Sequence, residues 1–376
     1  MTHRTTSTTA DTTTMARPLD SGEVRRTIGL DLGDRKSDFC ILEEGAPVVH
    51  GTVSTTREDL TEFLEKWSSS LVAMEVSPHS PWVSRLATEL GHRELVADAR
   101  RTGALAKIGR KSDRSDAELI ARMAHADPAL LNRVTHRSAQ AQADLAVLQA
   151  RTSLVAMRTK LVNHVRGSVK SVGGRVARCD ARYFHKKAVE SLPEELKPAL
   201  MPILETIEQV SQQICEYDKE IERLGKESYP ETVVLRQVSG VGPILSLMVV
   251  LVLGDPKRFR KSRDVGPYVG LVPRVAQSGS IDPQLGISKT GDRELRRLLV
   301  VIANYILGRG PDCDLKRWGQ AIAARGGKNA RKRAKVAVAR KLVVLLHRLW
   351  ITGEQYDPFR QARRRGEDVP EQEAAA

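Results

Sequence analysis

The sequence predicts an α/β layer fold with a partly parallel sheet in its first third, then a long helical stretch, then a mainly helical remainder. Three observations carry this. Between Arg26 and Ala97, short apolar segments alternate with amphipathic helical ones, the pattern of strands covered by helices. Apolar residues then recur at heptad spacing on two long stretches. From Val233 onward, Gly/Pro connections punctuate apolar helices as far as about Leu349.

In the first third, Thr27-Ile28-Gly29-Leu30-Asp31-Leu32-Gly33 reads as an apolar strand that ends on a carboxylate and a glycine. Phe39 to Leu42 and Val48 to Val53 extend it into an antiparallel meander. Thr55 to Trp67 reads as a helix with Thr56 as its cap and Leu60, Phe63 and Leu64 on one face. Leu71-Val72-Ala73-Met74-Glu75 is a second buried strand ending on a carboxylate, followed by a helix (Pro81 to Leu90) and a strand (Glu94 to Ala97). In the helical stretch, Val147, Ala150, Leu154, Met157, Leu161 and His164 form one heptad stripe. Ile203, Ile207, Val210, Ile214, Tyr217, Ile221 and Leu224 form another. A coiled-coil arm that also dimerises and a helix pair packed only within its own chain both fit these stripes. The resulting divisions are residues 1–25, a threonine-rich disordered tail; 26–136, the α/β domain; 137–230, the helical linker; 231–358, the mainly helical domain; and 359–376, a charged tail.

Composition narrows the function. The 376 residues carry a formal net charge of +14, an excess that a polyanion such as nucleic acid would match. Aromatic residues make up only 4%, so base stacking is a minor mode of recognition. The four cysteines (Cys40, Cys179, Cys215, Cys313) are far apart and form no Cys-x-x-Cys pair, which points to reduced thiols in a cytosolic protein rather than a zinc site or disulfide framework. The longest apolar run, Ile244 to Leu253, is about half of the roughly twenty residues a membrane span needs.

Four constellations can carry chemistry. Asp31 and Glu75 end neighbouring strands, and Asp113 and Asp116 sit at the entry to a helix, in Lys111-Ser112-Asp113-Arg114-Ser115-Asp116-Ala117-Glu118. Ser115 and Glu118 have capping-box spacing; a helix starting one turn earlier would instead put Asp113 and Asp116 on one face. Converging carboxylates would bind Mg²⁺ or Mn²⁺, whereas each acid alone is an ordinary surface charge or helix cap. Ser278 and Ser280 flank Gly279 in the loop Gly270 to Ser280, with no local base to activate either hydroxyl. Val238-Ser239-Gly240-Val241-Gly242-Pro243 resembles a helix-hairpin-helix turn, in which Gly240 and Gly242 expose backbone N–H groups to a phosphate; a tight structural turn is the alternative. Finally, Lys289, Arg293, Arg296, Arg297, Arg331, Lys332, Arg333 and Lys335 are candidate phosphate contacts.

Taken together these motifs resemble a known family. Ile28-Gly29-Leu30-Asp31, Ala73-Met74-Glu75 and Lys111 to Ala117 are similar to the DEDD motif of transposases in insertion-sequence family one-hundred-ten. Gly240-Val241-Gly242, Tyr268 to Arg274, Gln277-Ser278-Gly279 and Ile287 to Gly291 with Leu295-Arg296-Arg297 are similar to that family's C-terminal transposase domain, in the same order. The resemblance covers about Arg26 to Pro358, and pilin-gene invertases share the architecture. It leaves the segment before Arg26 outside the pattern, so Met15 is an alternative start.

The resemblance implies a RuvC-like, ribonuclease-H-type N-terminal domain, a helical coiled-coil linker, and a mainly α C-terminal transposase domain. Asp31, Glu75, Asp113 and Asp116 would hold Mg²⁺ or Mn²⁺. Ser278 would be the nucleophile that joins covalently to DNA, with Ser280, after the glycine, the less favoured choice. It further implies donor and target DNA as substrates, a structured guide RNA (a bridge RNA), a homo-dimer or homo-tetramer, and an active site built from two subunits. Against this stand a hydrolytic RuvC-like nuclease or junction resolvase, a protein-guided DNA invertase, a non-catalytic scaffold, and a sugar-kinase-like ATPase suggested by Ile28 to Gly33. The last has no later glycine-rich phosphate motif to support it.

Overall fold

The computed structural model describes residues 26–98, 113–274, 285–367 and 369; the expected N-terminal tail, the segment 99–112, the serine loop 275–284 and the last residues lie outside the described residues. The chain divides into two compact units, Met1–Ser138 and Ala139–Ala376.

The first unit is built on five strands: β1 (Arg26–Asp31), β2 (Lys36–Glu43), β3 (Val49–Ser54), β4 (Leu71–Glu75) and β5 (Arg93–Ala97). Their order is β3-β2-β1-β4-β5. The meander β1-β2-β3 is antiparallel, and β1-β4-β5 is parallel. Helices α1 (Arg57–Glu65) and α2 (Ser80–Glu89) supply the crossovers, and with α3 (Asp113–Ala126), which follows β5, they cover the sheet. As expected, Thr56 caps α1: its Oγ1 accepts the Asp59 N–H at 3.1 Å.

Strand alternation divides the core into two layers. Ile28, Leu30, Ile41, Val72, Met74 and Val96 pack with Leu60, Phe63, Leu64, Val83, Leu86 and Ala87 of α1 and α2. The other face meets α3, where Leu71, Ala73, Leu95 and Ala97 bury Ile120, Met123 and Ala124, and Cys40 and Leu42 meet Ala117 and Ala121. At Gly29 the helix lies directly on the strand. A Cβ there would sit 2.3 Å from the Ala117 carbonyl oxygen and 2.7 Å from the Ala121 nitrogen. Only glycine fits.

In the second unit two long helices, α4 (Ala139–Ser171) and α6 (Lys197–Glu227), run side by side, joined through α5 (Phe184–Glu190). They are antiparallel, because Arg151 pairs with Asp218 while Arg158 reaches Ser211. The expected stripe on α6 is buried at Ile207, Val210, Ile214, Ile221 and Leu224. On α4 the buried apolar residues are instead Leu145, Leu148, Val162, Val165 and Val169, while Met157 of the expected stripe is 48% exposed. Val147 and Leu161 of the expected stripe are partly buried against the same cores, so the stripe lies at the edge of the buried face.

The remaining helices are α7 (Thr232–Leu235), α8 (Pro243–Leu253), α9 (Val265–Tyr268), α10 (Arg293–Leu307), α11 (Asp314–Ala324), α12 (Ala330–Thr352) and α13 (Arg360–Arg364). Helix α8 is buried from Leu245 to Leu253 and forms the centre of the core, flanked by Leu295, Leu299 and Ala303 of α10 and Val338, Leu342 and Leu346 of α12. Leu145, Leu148, Ile221 and Leu224 of the long helices join the same core. Among the described residues no helix is long and apolar enough to cross a membrane. All four cysteines are free thiols.

Candidate active site and nucleic-acid interface

Asp31 and Glu75 are the final residues of β1 and β4, which pair in parallel with Leu30 opposite Met74. The two carboxylates are therefore the next pair in register. Each lies two residues beyond a position that faces α3 (Gly29 and Ala73), so both are directed to that same face. Across the antiparallel ladder Asp31 stands opposite Asp38 of β2, which is two residues before Cys40 on that face. Asp38 accepts the Thr52 hydroxyl at 3.1 Å. Three neighbouring strands thus carry one row of carboxylates, Asp38–Asp31–Glu75, at this edge of the sheet. The sequence reading missed Asp38, whose place is visible only once the β1–β2 register is known.

Helix α3 runs along the same face of the sheet as this row. Thr27 Oγ1 lies 3.2 Å from His125 Nδ1, and Gly29 lies against Ala117 and Ala121, so α3 runs antiparallel to β1. Two strand residues from Gly29 to Asp31 advance about 6.6 Å, and four helical residues from Ala117 back to Asp113 retreat about 6 Å. The first turn of α3 is therefore abreast of Asp31. Residues Asp113–Ala126 are helical. That overturns the capping-box reading, in which Ser115 would precede the helix, and puts Asp113 and Asp116 one turn apart on a face.

Oxygen-only donors from three strands and one helix suit a hard divalent cation, and carboxylates side by side favour a cation between them. Among the described residues, no group of three or more His, Cys, Asp or Glu is arranged to hold a metal ion.

Ser278 and Ser280 fall outside the described residues, but the base of their loop does not. Residues on its two sides pair as a short ribbon. Ser288 N–H donates to Val272 O at 2.8 Å, Arg274 N–H to Gly286 O at 3.0 Å, and Pro273 bridges Ile287. Gly270 and Gly291 both have positive φ, and a Cβ on either would strike the opposing backbone, at Thr290 O (2.3 Å) and Tyr268 O (2.1 Å). Lys289, exposed, has φ of 58°. Arg296 fastens this base. Its Nη1 donates to the carbonyls of Val269 (3.2 Å), Gly291 (3.1 Å) and Asp292 (3.1 Å), and also to that of Thr290.

The candidate phosphate contacts therefore separate. Arg296 is spent on backbone carbonyls. Arg297 is paired with Glu294, which holds that carboxyl below its usual range, chiefly through this hydrogen bond. Arg293, Arg331, Lys332 and Arg333 are exposed and Lys335 is half-buried. Gly240 (φ 89°) packs on the Tyr305 ring, which a Cβ would approach to 2.6 Å, whereas Gly242 caps α8 in open space. A further basic strip precedes the loop base: Lys257, Arg258, Arg260, Lys261 and Arg263 are all exposed, and the Arg258 guanidinium lies 4.3 Å from the Tyr268 ring centroid. Five cations within seven residues were the available sequence signal.

A sheet of this order with an acidic row at the end of its central strands, approached by the N-terminus of a helix, has the layout of a ribonuclease-H-like DEDD domain. Comparison with known proteins makes the assignment specific. Residues 28–173 match the model of DEDD transposases of the IS110 type, described as "Transposase", and residues 233–313 match "Transposase IS116/IS110/IS902 family". The transposase for insertion sequence element IS1328 of Yersinia enterocolitica is 32% identical over 290 residues, covering 75% of this chain and 84% of that one. The transposase for insertion sequence element IS1111A of Coxiella burnetii is 26% identical over 339 residues, covering 88% and 91%. The pilin gene-inverting protein of Moraxella lacunata is 30% identical over 113 residues, covering 30% and 34%. The chain belongs to the IS110 family of transposases and is a DNA transposase/recombinase enzyme.

Proposed function

We propose that this transposase cuts and rejoins DNA through a covalent phosphoserine intermediate, with the DEDD carboxylates and Ser278 acting on the same phosphodiester. The observation that carries the reading is the acidic row at the ends of β1 and β4 together with the first turn of α3 abreast of it. Asp31, Glu75, Asp113 and Asp116 would hold Mg²⁺ or Mn²⁺, which when bound supplies charge neutralisation at the phosphoryl oxygens. Ser278 Oγ attacks phosphorus and gives up its proton. One P–O bond to the strand breaks, leaving a sugar hydroxyl, and a P–Oγ bond replaces it. Reversal by the hydroxyl of another strand reseals the DNA, so no ATP is consumed. The clamped ribbon at the base of the loop would support presentation of the serine.

The protein would work in the cytosol as a homo-dimer or homo-tetramer on donor and target DNA, with a structured guide RNA supplying sequence recognition by base pairing. The exposed Met157 on the heptad face of α4 is a surface a second copy could cover. The basic residues then serve as backbone contacts rather than sequence readers. Ser278→Ala separates this from the nuclease alternative. Strand cutting should disappear together with the protein–DNA adduct; a variant that still cuts is a hydrolytic nuclease.

A further inference from the structure

The loop that follows Glu75 is unusually well fixed. Val76 N–H donates to Ala97 O at 3.0 Å. Ser77 and Ser80 each accept the other's backbone N–H, at 3.2 and 3.0 Å. The buried Ser80 hydroxyl has one hydrogen, which it gives to Ser77 O at 2.9 Å, so it accepts from His136 Nε2, also at 2.9 Å. Burial, with Arg85 and Arg137 nearby, pulls the His136 pKa down, consistent with a neutral ring in that role.

This frame holds His79 at the N-cap of α2. The Trp82 indole N–H donates to His79 Nδ1 at 3.2 Å, so the ring's hydrogen sits on Nε2. Nε2 is directed to the β1–β2 loop, where Asp34 Oδ1 is 3.8 Å away, beyond hydrogen-bond length. His79 is 27% and Asp34 94% exposed. Asp34 lies three residues after Asp31, and His79 four residues after Glu75. The contact therefore spans the two loops that leave the two carboxylates, and it presents an oriented N–H donor facing Asp34, a carboxylate that is itself almost fully solvated.

Resting on the carboxylate-centre reading above, we propose that His79 Nε2–H is a phosphate-binding donor of the reaction, taking a non-bridging oxygen of the DNA strand delivered to Asp31 and Glu75 and releasing Asp34 as it does so. An acidic row repels a phosphodiester, and a donor fixed at its rim offsets that repulsion and sets the strand's position. Trp82 acts through His79, as a positioning residue.

The test uses the full-length protein and its own element, with natural flanks, on a plasmid. Junction frequency is measured for wild type, His79→Ala, His79→Gln and His79→Asn, alongside thermal midpoints. A Gln side chain places its amide N–H near the Nε2 position. Asn places its oxygen near Nδ1 and can keep only the Trp82 bond. His79→Ala should lose about tenfold or more, Gln should restore a substantial part, and Asn should not, with the Gln and Asn midpoints alike. If Ala recombines like wild type, or Asn restores as well as Gln, the donor role is wrong. Asp31→Ala runs in parallel. If it still recombines, the carboxylate reading itself fails, whereas an inactive Asp31→Ala with an active His79→Ala removes only the present proposal.

Discussion

Removing the Arg296 guanidinium tests whether the serine loop stands on a built platform. A single nitrogen, Nη1, faces four carbonyls, those of Val269, Thr290, Gly291 and Asp292. It has two hydrogens, so about two good bonds are made at a time. Hydrogen bonds to a charged group contribute about 1.5–3 kcal/mol each, and the side chain is half-buried, so Arg296→Ala should cost about 2–4 kcal/mol after allowing for solvent. For a unit of this size that is a fall of roughly 4–16 °C in the thermal midpoint. Arg296→Lys should lie between, because an ammonium keeps the charge but not the planar fork. The neighbouring Arg297→Ala is the control. Its exposed pair with Glu294 should contribute under about 1 kcal/mol. Scanning calorimetry of the three variants reads this directly. An Arg296→Ala midpoint equal to wild type, or to Arg297→Ala, would refute the clamp.

Three other outcomes follow from the same structure. Gly29→Ala forces a Cβ against the α3 backbone and should cost about 3 kcal/mol, with recombination falling as the Asp113–Asp116 turn is displaced; a variant of unchanged midpoint contradicts the Gly29 contact. His92 and His347 are buried, and desolvation is the first cause pulling both below the ordinary imidazole value. The unfolded chain then binds protons that the fold refuses, so stability is full above about pH 6.5 and is lost as pH falls through that unfolded value. His347→Phe should flatten the midpoint-versus-pH curve from neutral pH down to about pH 6, and an unaltered curve would count against it. Changing Lys257, Arg260 and Lys261 to Gln should weaken DNA binding and make the salt dependence of log K shallower by about 0.9 for each phosphate contact removed. An unchanged slope would place the DNA elsewhere.

Much of the first unit could be read from its residues because local signals agree there. Thr56 caps as its residue type suggests, and Asp31 and Glu75 end strands whose apolar runs are unambiguous. Register was the information missing for Asp38, since only pairing with β1 brings it beside Asp31. On α4, the Val147-to-His164 stripe and the Leu145-to-Val169 set both have helical spacing; which of them ends fully buried depends on partners far away in sequence. Ser115 satisfies a capping pattern, yet it lies inside α3, which is already helical at Asp113. Arg296 is the same residue type as a phosphate-binding arginine, and nothing in its neighbours announces that four carbonyls will converge on it. Such carbonyls belong to the backbone and leave no mark in the sequence.

The joint action of the acidic row and Ser278 is best tested by recovering the DNA-linked peptide. Full-length protein is reacted on its element's DNA, the strand-bound fraction is digested, and the attached residue is identified by mass spectrometry. Attachment at Ser278 in wild type, and no attached peptide from Asp31→Ala, is the expected pair of results. A linkage at any other residue, or one that forms undiminished without Asp31, would contradict the mechanism.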